Sequence, residues 1–160
     1  MKHGMRRRDK GIKQRRHDVY KQKGKLSEGT ICSTCGVVFA QGRWVWNYDG
    51  ETSKEITCPA CQRIRDGYPA GFIDISGEFF DDNREEILNL ARNLEELHKE
   101  EHPMQRIMRI RKNRDGITQI ETTEVNLARR IGDAISRAYQ GEYSFQYADN
   151  YKRIRIQWVR

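Results

Sequence analysis

The residues best suited to chemistry are four cysteines in two Cys-x-x-Cys pairs, Cys32 with Cys35 and Cys58 with Cys61. Each pair offers two thiolates from a tight turn, and two such turns together supply the four sulfur ligands of a tetrahedral zinc site. Four protein ligands leave no coordination position for water or substrate. We therefore expect zinc as the cofactor, in a structural role, and a protein that is not an enzyme.

The segment between the two pairs, residues 36–57, predicts a hairpin that brings the pairs together. Its 22 residues slightly exceed the usual spacing of about 15 to 20. Residues 37–39 and 43–48 are short β-rich runs, with Gly42 between them. This pattern indicates a zinc ribbon over residues 27–72.

Three other states of the cysteines compete with zinc: two disulfides, a thioredoxin-like redox pair, and four unliganded thiols. Disulfides require an oxidising compartment, and neither pair lies in a βαβ pattern, so zinc is favoured. The N-terminus is basic but has no following apolar segment of a secretory signal, and no run of about 18 apolar residues occurs. We expect a cytoplasmic protein that does not contact membrane.

The net charge of +7 is distributed in three blocks of different sign. Residues 1–26 carry 11 Lys/Arg and 2 Asp/Glu, residues 27–104 carry 7 and 15, and residues 105–160 carry 12 and 6. The first block has too few apolar residues to fold alone and predicts a disordered basic arm. Such arms bind polyphosphates by releasing counterions, although a solvated tail is the simpler alternative.

The rest of the chain predicts an α+β organisation. Residues 73–104 indicate a strand followed by an acidic amphipathic helix, with a capping box at Asp82 and Glu85 and an end at Pro103. Residues 105–160 predict a ββαββ two-layer unit, in which Thr123 caps the helix and Gly141 ends it.

Alternation along the strands predicts which side chains share a face of this C-terminal sheet. The face toward the helix would carry Met108, Ile110, Ile120, Ile154, Ile156 and Trp158. The opposite face would carry Arg109, Arg111, Arg153 and Arg155, a platform for phosphates or merely a solubilising surface.

Together these features favour an RNA-binding protein. The candidate RNA-binding residues are Arg6, Arg7, Arg8, Arg15 and Arg16 of the arm, the four arginines of the sheet, and Trp44 and Trp46 of the hairpin. The two tryptophans either stack on unpaired bases or form the small core of the ribbon.

Two alternatives belong to other classes of function. The acidic helix and the ribbon are also consistent with a protein-interaction adaptor. The motif His98-x-x-Glu101-His102 fits a zinc peptidase, in which two histidines one turn apart bind zinc and the glutamate acts as base. This motif lies on an acidic helix directly before Pro103, where surface histidines are the simpler interpretation.

The cysteine region is similar to a known family. The sequence from Cys32-Ser-Thr-Cys35-Gly36 to Gly42-Arg43-Trp44, and then Cys58-Pro-Ala-Cys61 with Gly67-Tyr68 and the Phe72-Ile-Asp-Ile run, resembles the zinc-binding region of the large-ribosomal-subunit nuclear export adaptor named after nonsense-mediated decay. Downstream, Gly116-Ile117, Thr122-Thr123 and Ala128-Arg-Arg-Ile131 resemble the α/β segment that follows in that family.

This resemblance covers residues 30–80 and 115–160 and implies binding to the large ribosomal subunit, with ribosomal RNA and ribosomal proteins as partners and no chemistry. The chain departs from the family pattern, because it has fewer cysteines, lacks the further downstream domains and adds a basic arm. It resembles a compact bacterial relative, for which nuclear export is not implied.

Overall fold

The computed structural model describes Tyr20 and residues 24–160. The arm expected over residues 1–26 therefore lies mostly outside the described residues. The same holds for its five candidate RNA-binding residues, Arg6, Arg7, Arg8, Arg15 and Arg16.

The described chain is a mixed α+β structure with two sheets. Its strands are β1 Thr30–Cys32, β2 Val38–Ala40, β3 Arg43–Val45, β4 Glu55–Ile56, β5 Gly71–Ser76, β6 Ile107–Lys112, β7 Thr118–Thr122, β8 Glu142–Ala148 and β9 Arg153–Val159. Its helices are α1 Pro59–Asp66, α2 Glu78–Asp82, α3 Arg84–Glu101 and α4 Val125–Tyr139. None of the helices in this part of the chain is both long enough and apolar enough to cross a bilayer.

The first sheet, in the order β3-β2-β1-β4, carries the cysteine pairs. The expected hairpin is present, since β2 and β3 pair antiparallel with Val38 opposite Val45. The second pair differs from the ribbon that we predicted, because it opens α1 and does not lie in a second β-turn. Cys58 is the N-cap of α1 and Pro59 occupies the first turn, where a missing N–H costs nothing. We call residues 27–67 the cysteine module.

The second sheet has five strands in the order β6-β7-β5-β9-β8, whereas the sequence predicted four. The additional strand is β5, which lies at the centre, antiparallel to β7 and parallel to β9. Its side chains Ile73 and Ile75 are fully buried, and they belong to the same core as Ile87 of α3 and Ile131 of α4. The strand and helix of residues 73–104 thus share one core with the ββαββ segment.

Both long helices begin differently from the sequence prediction. The helix α3 begins at Arg84, with Asn83 as a cap that makes no side-chain hydrogen bond, so the capping box at Asp82 and Glu85 is wrong. The helix α4 has Glu124 as its N-cap. Thr123 does not cap it, because its hydroxyl accepts from the backbone N–H of Arg106 at 2.8 Å.

The predicted apolar face is correct for five of its six members, and four of these, Ile120, Ile154, Ile156 and Trp158, are almost completely buried. Ile110 is partly buried against the same core. Met108 is the exception. The register of β6 shifts between Ile107 and Arg109, and Ile107 packs against the core in place of Met108. A bulge adds one residue and reverses the alternation locally, which the simple parity rule does not anticipate.

Candidate metal centre and basic sheet face

The four cysteines form one compact cluster. Their Sγ atoms all lie within 4.8 Å of one another, and those of Cys35 and Cys58 are 3.8 Å apart. A tetrahedron with metal–sulfur bonds of about 2.3 Å has sulfur–sulfur edges of about 3.8 Å. All four cysteines are free, so the two-disulfide alternative is wrong. The donor set fits one tetrahedral metal ion.

Local backbone geometry positions these ligands. Cys32 ends β1, and the chain turns back through Gly36, whose N–H donates to the Cys32 carbonyl at 2.9 Å and whose φ of +80° favours glycine. On the other side, Cys58 caps α1 and accepts from the N–H of Cys61 at 3.4 Å. The N–H of Cys58 donates to Cys32 Sγ at 3.2 Å. Backbone donors of this kind stabilise thiolates and therefore a bound cation.

The ionisation of the thiols depends on a cation. Burial raises the pKa of Cys58 and of Cys61. Burial also acts to raise the pKa of Cys32, but the backbone N–H donors of Cys58, Cys35 and Thr34 outweigh it and lower that pKa to about 6. Four thiolates in such a small volume repel one another, so a divalent metal must be present for all four to be ionised at neutral pH. Acidification protonates the ligands, and affinity for the metal must fall as the pH falls.

Arg106, which lies outside the cysteine module, contacts the thiols of the cluster directly. Arg106 is only 8% exposed, and its guanidinium lies 3.3 Å from Cys61 Sγ, 3.2 Å from Cys35 Sγ and 3.9 Å from Cys58 Sγ. Burial acts to lower the pKa of Arg106, but Cys35 and Cys61 outweigh it, and the pKa rises. A divalent metal with four thiolates has a net charge of −2, and Arg106 offsets one unit of it.

Each guanidinium nitrogen of Arg106 has a hydrogen-bond partner. Its Nε donates to the Pro103 carbonyl at 2.9 Å, and its backbone pairs with Thr123 in both directions. Arg106 lies 45 residues from Cys61 in the sequence and directly precedes strand β6. No local pattern in the sequence indicates this contact, and sequence reasoning missed it.

The two hairpin tryptophans pack against the cysteine cluster. Trp46 donates from Nε1 to the Lys99 carbonyl at 2.7 Å, and the Arg106 guanidinium lies 5.4 Å from its ring centroid. Trp44 meets Phe39 edge to face at 5.4 Å. These contacts favour the core interpretation of both residues, while stacking on bases stays a prediction.

Among the described residues, His98, Glu101 and His102 do not form a group with metal-binding geometry. His98 lies 3.4 Å from a guanidinium nitrogen of Arg130, and burial together with that cation lowers the pKa of His98. Among Tyr20 and residues 24–160, the cysteine cluster is the one group of three or more potential ligands with metal-binding geometry. The peptidase alternative gains no support from this arrangement.

The four predicted sheet arginines lie on the face opposite α3 and α4, which we call the open face. A row across the sheet runs from Arg109 through Glu121 and Phe72 to Arg155. Arg109 and Arg111 on β6 are separated from Arg153 and Arg155 on β9 by two strands, and therefore by roughly 14 Å. The arginines form two pairs and do not lie on neighbouring strands.

Carboxylates lie between these arginines. Glu121, 1% exposed, accepts from Arg109 and from Arg111, the latter at 3.1 Å. Asp74 accepts from Arg155 at 3.0 Å and from Gln119 at 2.7 Å. The four arginines and two carboxylates leave the open face with a net positive charge. The ion pairs also hold the guanidinium groups in defined positions.

Beside the β9 arginines lies a contact that sequence reasoning missed. The Arg155 guanidinium is 4.6 Å from the Phe72 ring centroid, and the Arg153 guanidinium is 4.8 Å from that of Tyr68. Farther along, Arg63 lies 4.5 Å from the Tyr20 centroid, and the Tyr20 and Tyr68 rings are 5.8 Å apart. We call these six residues the aromatic–arginine stack. The residues come from three distant segments, which is why no local motif indicates it.

Comparisons of the chain with protein-family models, with curated proteins and with solved structures found no match. The resemblance to the export-adaptor family therefore stays a prediction.

The cluster predicts one metal ion per chain, bound by the cysteines alone. Cys58→Ser should abolish metal binding, because it removes one of four converging ligands. A double variant with His98→Ala and His102→Ala serves as the control and should keep the wild-type metal content. Elemental analysis of the purified proteins measures this. Loss of metal from the histidine variant would contradict the assignment.

Arg106 predicts a stability effect that an ordinary surface arginine does not have. Arg106→Met keeps the length of the side chain but removes its charge and donors, so the free energy of unfolding should fall by about 3 kcal/mol. Arg92→Met on α3 is the control and should cost less than about 1 kcal/mol, because Arg92 and its partner Glu85 are both exposed. Urea unfolding of the metal-loaded proteins measures both. Equal urea-unfolding midpoints for the two variants would show that the contact between Arg106 and the cysteine cluster does not stabilise the protein.

Proposed function

We propose that this protein is a zinc-stabilised, non-catalytic RNA-binding protein that associates in the cytoplasm with ribosomal RNA on large ribosomal subunits. The arrangement of arginines on the open face is the observation that supports RNA binding best. The sulfur-only donor set supports zinc, although iron also accepts four cysteines. The ribosomal part of the proposal rests on the sequence resemblance.

The open face is suited to phosphates for three reasons. It belongs to a sheet whose helices α3 and α4 both pack on the other side. Its arginines stay substantially exposed, since the side chains of Arg109, Arg111 and Arg155 are 46%, 56% and 50% accessible. Their ion pairs with Glu121 and Asp74 limit the rotamers that a ligand would otherwise have to immobilise. Guanidinium groups in defined positions can bind phosphate oxygens bidentately.

A second candidate function is a protein-interaction adaptor. On α3 the side chain of Leu97 is 66% exposed, and Glu96, Glu100 and Glu101 surround it in sequence. An exposed leucine in an acidic surface suits a partner with a basic rim around an apolar pocket. Such an interface responds only mildly to salt, whereas phosphate binding responds steeply.

The salt dependence of RNA binding tests the proposal. The purified protein should bind ribosomal RNA with an affinity that falls steeply between about 50 mM and 200 mM salt, because each neutralised phosphate releases a counterion. A double variant with Arg153→Ala and Arg155→Ala should bind more weakly and with a shallower slope. Arg92→Ala on α3, an equally exposed arginine away from the open face, is the control. Binding isotherms over a salt series supply the measurement.

Sedimentation in a sucrose gradient tests the ribosomal part separately. The protein should migrate with large subunits at low salt and at the top of the gradient at high salt. Migration at the top under both conditions would contradict the association with ribosomes. Salt-resistant association that Leu97→Asp abolishes would instead support the adaptor function.

A further inference from the structure

The aromatic–arginine stack identifies the form of RNA that the open face would bind. Its guanidinium groups and rings alternate from Tyr20 through Arg63, Tyr68, Arg153 and Phe72 to Arg155, with separations between 4.5 and 5.9 Å. Phosphate binding alone requires the charges and not the rings. The rings therefore favour a ligand that has flat, apolar faces as well as negative charge.

We propose that the stack binds unpaired nucleotides of RNA, with bases stacked on its exposed rings and guanidinium planes and with phosphates on the neighbouring arginines. This proposal rests on the proposed function and deepens it, because it specifies single-stranded RNA as the ligand of the open face.

Exposure of the stack supports this assignment. Tyr68 is 43% exposed, and the Arg155 side chain is 50% accessible. A base can extend the stack at Arg155, which lies at its end, or contact the exposed part of the Tyr68 ring, since bases stack on tyrosine rings and on guanidinium planes alike. In a duplex, both faces of every base are already stacked on neighbouring base pairs, except at the two ends. The stack thus favours single strands over duplexes.

The stack is also organised before any ligand arrives. Arg155 is held by Asp74, and Arg63 donates to the Tyr68 carbonyl at 3.1 Å. Arg153 lies within cation–π distance of both Tyr68 and Phe72, and its Nε is buried with no hydrogen-bond partner among the described residues. Side chains that are already ordered lose little conformational entropy on binding, which favours affinity.

A comparable aromatic patch on the other side of the sheet supplies a control. Phe145 on β8 is 41% exposed, and the Arg129 guanidinium lies 3.6 Å from its ring centroid. Register places Phe145 opposite Ile156, on the helix side of the sheet. It therefore matches Tyr68 in exposure and in its arginine partner, but it does not belong to the open face.

The test measures the binding of the full-length protein to a labelled 12-nucleotide single-stranded RNA and to the duplex form of the same RNA, by fluorescence anisotropy at one salt concentration. The single strand should bind at least tenfold more tightly than the duplex. Tyr68→Leu and Phe72→Leu should each weaken binding of the single strand about fivefold or more, because each removes a stacking surface. Both variants should leave duplex binding unchanged. Phe145→Leu should change neither affinity.

The outcomes separate this proposal from the one it rests on. If the duplex binds as tightly as the single strand, or if Tyr68→Leu and Phe72→Leu bind like wild type while the Arg153 and Arg155 variant loses affinity, the stack proposal is overturned and RNA binding by the open face stands. If wild-type protein binds neither RNA at low salt, both proposals are overturned. Binding of an acidic peptide but of no RNA would also overturn both, in favour of a protein partner.

A second readout covers the case in which a variant fails to fold. The wild-type protein is irradiated with single-stranded RNA that contains 4-thiouridine, and the cross-linked peptides are identified by mass spectrometry. Cross-links at Tyr68 or Phe72 support the proposal. Cross-links confined to residues outside the stack contradict it.

Discussion

The contact between Arg106 and the cysteine thiolates is the interaction on which the arrangement of the molecule depends. A metal ion with four thiolates is a buried group of net charge −2, and burial of unpaired charge is costly. Arg106, directly before β6, places a cation against three of the four sulfurs. The metal site therefore serves two purposes, because it organises the cysteine module and anchors that module to the five-stranded sheet.

This anchoring has a consequence for the surface. The helix α1 begins at the metal ligand Cys58 and carries Arg63, and Tyr68 follows directly after its end. These two residues belong to the stack together with Tyr20, and its other three members, Arg153, Phe72 and Arg155, belong to the five-stranded sheet. The candidate RNA surface is thus shared between the segment around α1 and the five-stranded sheet. A metal bound at this centre would therefore determine whether this surface is assembled.

The sequence predicts the parts of this structure that depend on local pattern. The cysteine pairs, the hairpin between them, the buried side chains Ile154, Ile156 and Trp158 and the pairing of β6 with β7 all follow from spacing and periodicity. Contacts between distant segments do not follow from such patterns. The central position of β5, the approach of Arg106 to the thiolates and the aromatic–arginine stack each depend on strand order, which no single segment encodes. The position of Cys58 and Cys61 at the start of α1 was not predicted, although Pro59 is a typical residue of a first helical turn and was a local signal for it.

The affinity of the protein for single-stranded RNA before and after removal of its metal tests most directly whether the RNA surface depends on the metal centre. The metal-free protein should bind RNA more weakly, on the order of tenfold, because Tyr68 and Arg63 lose their fixed positions beside the sheet. Addition of zinc should restore the affinity. An unchanged affinity in a protein shown to be free of metal would contradict the dependence of the RNA surface on the metal centre.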